Sequence, residues 1–143
     1  MAHARPAAPV TVYAWVGNPG CIRFPVPVRK AAGVKRGDRL SVTVRGEGTV
    51  VLDRLDVSEE TWRESLAVEG CACEQPPELC GRGEPGLVSV GWSYVQLNRG
   101  LAEEIGFVAD APLRLVAEPG RITASLHPHP EDLEGAERAR CPP

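Results

Sequence analysis

The chain contains 143 residues, 43% of them hydrophobic and 24% charged, which fits one compact domain or two very small domains that share a core. Sixteen basic and nineteen acidic residues give a formal net charge of −3. This charge excludes a protein that coats nucleic acid with its whole surface, but a local basic surface is still possible. No apolar run approaches the ~20 residues of a membrane span, and the N-terminus lacks the apolar stretch of a secretory signal. We therefore expect a cytoplasmic protein with no membrane partner.

The first structural unit is predicted over residues 10–54. The β-rich segment 10–16 ends in a Gly-Asn-Pro-Gly turn, which is typical of a strand followed by a reversal. A proline suits the first turn of a helix and a glycine its left-handed end, so a short helix is predicted over residues 27–32 with Gly33 as its cap. Alternating apolar residues then predict a β-hairpin over residues 40–52.

The same order of signals returns further along the chain. Placing Gly33 on Gly106, an offset of 73, aligns apolar residues with apolar residues. The aligned pairs are Phe24 with Leu97, Val28 with Leu101, Leu40 with Leu113, and Val42 with Leu115. An internal duplication is therefore predicted, with a second unit over residues 88–126 and a second short helix over residues 99–105.

The segments outside the two units are predicted to be two tails and a linker. Residues 1–9 are expected to be an N-terminal tail, and residues 127–143 a flexible C-terminal tail whose two histidines are solvated. The linker, residues 55–87, is predicted to hold a helix of about three turns. Its Trp62 and Leu66 share a face and are expected to pack on the two units, and a Cys/Pro/Gly-rich loop follows.

Charge is shared unevenly between the segments. Residues 20–54 carry eight basic and three acidic side chains, a net of +5. The linker, residues 55–87, carries two basic and eight acidic ones, a net of −6, and residues 88–126 carry three and four, a net of −1. The basic surface is therefore predicted to belong to the first unit alone.

The segment GCIRFPVPVRKAAGVKRGDRLSVTV, residues 20–44, resembles the swapped-hairpin domain of the AbrB/MazE/SpoVT family. The residues that stand at the family's spacing are Pro25, Arg29, Gly33, Gly37, Asp38 and Leu40. The second unit is similar more weakly, because it keeps Gly106 but has Asn98 in place of the proline and Asp110-Ala111 in place of Gly-Asp. It also resembles the SymE-like branch of that superfamily.

The resemblance implies a mainly β fold in which two tandem β-α-β-β units interleave their hairpins into one small barrel. Family members normally do this as homodimers, whereas a tandem chain can use its own two halves, so a pseudo-dimeric monomer and a homodimer both stay open. The implied function is that of a DNA-binding transcription regulator or an antitoxin, which acts by site occupancy and has a protein partner such as a toxin. No phosphate-binding loop, nucleophile elbow or H-E-x-x-H motif occurs in the chain, and no enzyme activity is expected.

The resemblance assigns DNA contacts to Arg29 and Lys30, which stand where the family helix carries its basic pair. Arg23, Lys35 and Arg36 are added from this sequence because they lie nearby, and phosphate contacts need cations on one face. The second unit has alanine and glutamate in place of the helix pair. A reading in which Arg29 and Lys30 are only solvated charges stays open.

Two other functions stay open at this point. One is a partner-binding module that keeps the barrel but has lost most DNA contacts, which the acidic linker and the absence of cations at Ala14 and Cys21 favour. The other is a SymE-like nuclease or RNA-binding toxin, although no cluster of metal-binding carboxylates is visible in the sequence.

Three cysteines, Cys71, Cys73 and Cys80, lie close together in the linker loop. With one more ligand they can form a tetrahedral zinc site, but the spacing is not that of paired C-x2-C knuckles. A disulfide among them is a second possibility, which a reducing cytosol disfavours. Free thiols and no cofactor are the expected state.

Overall fold

A computed structural model describes residues 9–46, 48–55, 86–91 and 93–136. Its strands and helices, in chain order, are β1 (Val10–Trp15), β2 (Cys21–Arg23), α1 (Val26–Ala32), β3 (Arg39–Val44), β4 (Thr49–Leu55), β5 (Leu87–Ser89), β6 (Tyr94–Gln96), α2 (Arg99–Ile105), β7 (Pro112–Glu118) and β8 (Arg121–Leu126). A 3-10 turn, Pro130–Leu133, follows β8. The described chain is mainly β, as the sequence predicts.

Prolines begin α1 and a glycine ends it, close to the predicted bounds. Pro27 lies in the first turn, where a missing N–H group interrupts no helical hydrogen bond. Gly33 takes a left-handed conformation with φ of 71°, and its N–H group donates to the carbonyl of Arg29. Glycine adopts this conformation without the steric penalty that a Cβ atom would bring.

A different residue begins α2. The side-chain oxygen of Asn98 accepts a hydrogen bond from the N–H group of Leu101 at 3.0 Å, which satisfies one of the free donors of the first turn. The helix ends at Gly106, left-handed like Gly33, with φ of 85°. The two units therefore start equivalent helices by different means and end them in the same way.

The element bounds repeat at the offset found in the sequence. α2 begins and ends 73 residues after α1, and β6 lies 73 residues after β2 at both of its ends. β7 also starts 73 residues after β3. The two units thus carry the same elements in the same order.

The strands form one antiparallel sheet of six strands, in the order β1-β7-β8-β4-β3-β5, and a separate pair, β2-β6. β1 of the first unit pairs with β7 of the second, whereas β5 of the second pairs with β3 of the first. The last strands of the two hairpins, β4 and β8, lie side by side in the middle. The pairings therefore tie each unit to the other along the whole sheet.

The predicted closed barrel is not what the described residues form. The six-stranded sheet is open, and β1 and β5 are its two edges within those residues. After β1 the chain reverses in the turn of residues 17–20, where the N–H group of Gly17 donates to the carbonyl of Cys21. Because β2 leaves this turn to pair with β6 rather than with β1, the two sheets are not joined into one ladder.

The core draws on both units. Phe24 and its counterpart Leu97 are both fully buried, as are most of the aliphatic residues of β7 and β8. Gly20 connects the units through its backbone, because its N–H group donates to the carbonyl of Phe107 and its carbonyl accepts from the N–H group of Leu97, both at 2.9 Å. One shared core, rather than two separate ones, follows from these contacts.

The C-terminal segment differs from the predicted flexible tail as far as Ala136, beyond which residues are not described. Leu133 in the 3-10 turn is only 1% exposed. The ring of His127 lies 4.8 Å from that of Tyr13 on β1, and its Nε2 atom is 2.8 Å from a carboxylate oxygen of Asp132. The burial of Leu133 and the ring contact of His127 with Tyr13 hold this segment against β1. The polar composition of the tail gave no indication of either contact.

The predicted linker helix, with Trp62 and Leu66, lies outside the described residues, so its packing stays a prediction. Within the described ranges, no helix is long and apolar enough to cross a membrane.

Candidate nucleic-acid interface

The last turn of α1 carries the two cations that the resemblance assigns to DNA. Lys30 is exposed, whereas Arg29 is partly buried and its Nε atom donates to the carbonyl of Phe24 at 3.0 Å. This bond holds the Arg29 side chain against the start of its own helix. Cations at a helix C-terminus are also stabilised by the helix dipole, so both residues have a structural role beside any contact with DNA.

The turn after α1 presents two more cations on a well-fixed backbone. Lys35 and Arg36 are both exposed. A carboxylate oxygen of Asp38 accepts from the N–H group of Lys35 at 2.9 Å, and the N–H group of Asp38 donates back to the carbonyl of Lys35 at 3.0 Å. The turn is closed by these reciprocal bonds, and Arg54 adds an ion pair to the same carboxylate at 3.5 Å.

The second unit fixes this turn of the first. The N–H group of Gly37 donates to the carbonyl of Val90 at 2.9 Å, and the N–H group of Val90 donates to the carbonyl of Asp38 at 2.8 Å. Val90 follows β5, the strand that the second unit contributes beside β3. The position of this turn, residues 33–38, which we call the cationic turn, therefore depends on the fold of both units.

The equivalent turn of the second unit has the same backbone bonds and different side chains. The N–H group of Asp110 donates to the carbonyl of Val16, and the N–H group of Val16 donates to the carbonyl of Ala111, both at 2.9 Å. The positions of Lys35 and Arg36 are taken by valine and alanine. Both units therefore have the same turn backbone, but only the first unit has cations at these two positions.

Arg23 has different surroundings from the other predicted cations. It lies on β2, is partly buried, and lines a groove beside Pro25 and Val26. Its Nε atom is buried. The structure therefore groups Lys30, Lys35 and Arg36 as exposed cations of α1 and its turn, with Arg29 partly buried next to them and Arg23 in the groove.

An ion pair that the sequence did not indicate connects the two units. The Nε atom of Arg121 on β8 lies 2.7 Å from a carboxylate oxygen of Asp53 on β4. The hydrogen bond and the charge of Asp53 raise the pKa of Arg121 above its usual value. These residues are 68 positions apart, and only the pairing of β4 with β8 brings them together. Arg121 is therefore engaged within the protein.

Cys21, for which no bonding was predicted from the sequence, is fully buried and disulfide-bonded. Cys71, Cys73 and Cys80 lie outside the described residues, so their zinc, disulfide and free-thiol states stay predictions. No group of three or more His, Cys, Asp or Glu side chains suited to a metal occurs in the part of the chain that is described. Disulfides persist mainly in oxidising compartments, so the bond at Cys21 does not favour the predicted cytoplasmic location.

Comparison of the chain with models of protein families, with curated proteins and with solved structures finds no match. The resemblance to the AbrB/MazE/SpoVT family therefore rests on the motif in residues 20–44.

Proposed function

We propose that this protein is a DNA-binding regulator of the AbrB type, which acts by occupying its site and catalyses no reaction. The observation that carries the proposal is the cationic turn of the first unit. Lys30, Lys35 and Arg36 are exposed together on α1 and on a turn whose backbone is fixed from both sides. Exposed cations close together in the sequence are suited to phosphate contacts, which position a protein on a duplex.

The strand pairings support one part of the architecture that the resemblance implies, the exchange of strands between the two units, although the described strands do not close into a barrel. Each unit supplies an outer strand to the hairpin of the other, which is the exchange expected of swapped hairpins. In this proposal one chain supplies what a homodimer supplies in the family, and the protein is a pseudo-dimeric monomer. Because only the first unit carries cations in the last turn of its helix and in the turn that follows, it presents one DNA-reading face rather than two equal ones.

The test is a titration of a labelled DNA duplex with the purified chain at several salt concentrations. Each cation that neutralises a phosphate contributes about 0.9 to the negative slope of log K against log salt. Replacing Lys30 and Lys35 by alanine should therefore weaken binding at every sequence and flatten the slope by about two units.

A matched control is the double variant Arg99→Ala, Arg114→Ala. Both arginines are exposed on the second unit, and the variant loses the same charge. It should lose less affinity and keep most of the slope. Equal losses from the two double variants would show that the cationic turn is not the site, and the absence of salt-dependent binding by the unaltered chain would overturn the function.

A further inference from the structure

A groove of about 410 Å³ lies between β1 and the residues that lead into α1. Residues 12–14 of β1 and residues 25–27, the Pro-Val-Pro segment, line it. Arg23 adds one cation to this lining. The DNA-binding proposal does not use this groove.

The groove runs along the edge of β1. Successive residues of a strand point to opposite faces of its sheet, and Tyr13 lines the groove together with Val12 and Ala14, so we infer that the groove crosses one edge of the strand. β1 is the outer strand of the six-stranded sheet, and β7 is its one partner strand among the described residues. The groove therefore lies beside the side of β1 that faces away from β7.

The alternation of backbone groups along β1 directs the N–H and C=O groups of Tyr13 towards the side that faces away from β7. Just beyond β1, the N–H group of Val16 donates to the carbonyl of Ala111, in register with the β1–β7 ladder. In an antiparallel pair, alternate residues direct both backbone groups at the partner, so Val12 and Ala14 face β7. Tyr13, between them, directs its N–H and C=O groups away from β7, along the groove.

We propose that this groove binds an extended peptide segment that carries an acidic side chain, by adding it as a strand to the edge of β1. Backbone hydrogen bonds to Tyr13 would supply register and affinity. The two prolines of the lining and Val26, which is 49% exposed, would cover alternate apolar side chains. Arg23 would pair with the carboxylate, since a guanidinium has five N–H donors and can serve several acceptors.

The charge of the groove favours an acidic peptide over two other occupants, a nucleic-acid duplex and the residues of this chain that follow Ala136. The groove carries one cation in an apolar lining, whereas a duplex needs several cations along its backbone. Ala136 also lines the groove, and the seven residues that follow it in the sequence include two arginines and one glutamate. Their net positive charge makes them a less favourable occupant beside Arg23 than a peptide whose only charge is acidic.

The probe is a fluorescein-labelled peptide of about six residues, the usual length of a strand, in which valine and threonine alternate and the last residue is aspartate. Anisotropy should give a dissociation constant below about 100 µM with the full chain. The same peptide with lysine in place of aspartate should bind about tenfold more weakly. A version with N-methylated backbone amides should not bind, because it cannot form the ladder.

Two substitutions test the residues that line the groove. Val26→Asp adds a negative charge on its rim and should abolish binding, and it keeps the fold because an acidic residue is favourable in the first turn of a helix. The matched control is Val108→Asp, since Val108 is 45% exposed on the second unit. Arg23→Gln should weaken the aspartate peptide about tenfold and leave a peptide ending in asparagine unchanged.

Four results would overturn the proposal. One is no binding of the aspartate peptide, and another is equal binding by the Val26→Asp and Val108→Asp variants. The third is displacement of the peptide by a DNA duplex, which would make nucleic acid the occupant. The fourth is dissociation of a dimer by Val26→Asp, which would make a second copy the occupant. Because the peptide titrations contain no DNA, the proposal can fail or hold independently of the proposed function.

Discussion

The turn of residues 33–38 and the turn of residues 106–111 share a backbone but not a surface. Each follows a seven-residue helix that ends in a left-handed glycine. Each is also held by a pair of hydrogen bonds to a valine of the other unit, Val90 in one case and Val16 in the other. Only the first turn carries exposed cations, which shows that the duplicated scaffold is maintained by backbone bonds and core packing, whereas its surface charge is free to differ.

The two turns also differ in the residue that takes the left-handed conformation. Gly37 has φ of 91°, and a Cβ atom built on it would meet nothing within 4 Å. Its counterpart Asp110 takes φ of 64°. Aspartate tolerates this conformation better than most residues, so the second unit keeps the turn without a glycine.

The largest expected effect tests whether the two units share one core. Phe24→Ala should lower the free energy of unfolding by about 3–5 kcal/mol, and Leu97→Ala by about 2–5 kcal/mol, because both side chains are fully buried. Denaturant unfolding followed by circular dichroism and by tryptophan fluorescence should give coincident transitions for both variants. Val44→Ala, at a position 42% exposed, is the control and should change stability by less than about 0.5 kcal/mol. Separate transitions would contradict the shared core.

A smaller effect tests the conformational difference between the turns. Gly37→Ala should destabilise the protein by about 1 kcal/mol, because alanine pays the left-handed penalty and no contact compensates it. Gly37→Asp should cost less, as aspartate is accommodated at Asp110, but it should weaken DNA binding by placing a negative charge beside Lys35 and Arg36. Equal destabilisation by alanine and aspartate in thermal unfolding would show that the turns are not conformational equivalents.

The smallest effect concerns pH at the β2–β6 pair, where Tyr94 of the second unit faces Arg23 of the first. Burial raises the pKa of the Tyr94 hydroxyl above its usual value of 10.0. The unfolded chain therefore ionises this group first, so the stability it contributes is complete below about pH 10 and is lost as the pH rises through the folded pKa. Tyr94→Phe should flatten the decline of stability above about pH 10; an unchanged alkaline profile would contradict this.

The elements that follow from local signals were predictable from the sequence. Pro27 and Gly33 bound α1 closely, and the offset of 73 placed α2 on its observed residues. Local signals suffice here because caps and turns are decided by the conformations that single residues allow.

Features that depend on strand pairing were not predictable in the same way. The ion pair of Asp53 with Arg121 requires the register of β4 on β8, and the burial of Leu133 requires the position of β1. The closed barrel was expected from the resemblance, but its closure depends on where β2 and β6 pair, which no local pattern encodes. Two properties of the candidate cations could not be predicted from the sequence either. These are the hydrogen bond of Arg29 to the carbonyl of Phe24 and the position of Arg23 in the groove.

The most direct test of a one-sided cationic surface is a map of backbone amide chemical shifts in the ¹H–¹⁵N spectrum of the full chain as a DNA duplex is added. The account predicts that the perturbed amides cluster in residues 26–37, at α1 and its turn, and that the equivalent residues 99–110 of the second unit stay unchanged. Perturbations of equal size in both segments, or confined to residues 99–110, would contradict it.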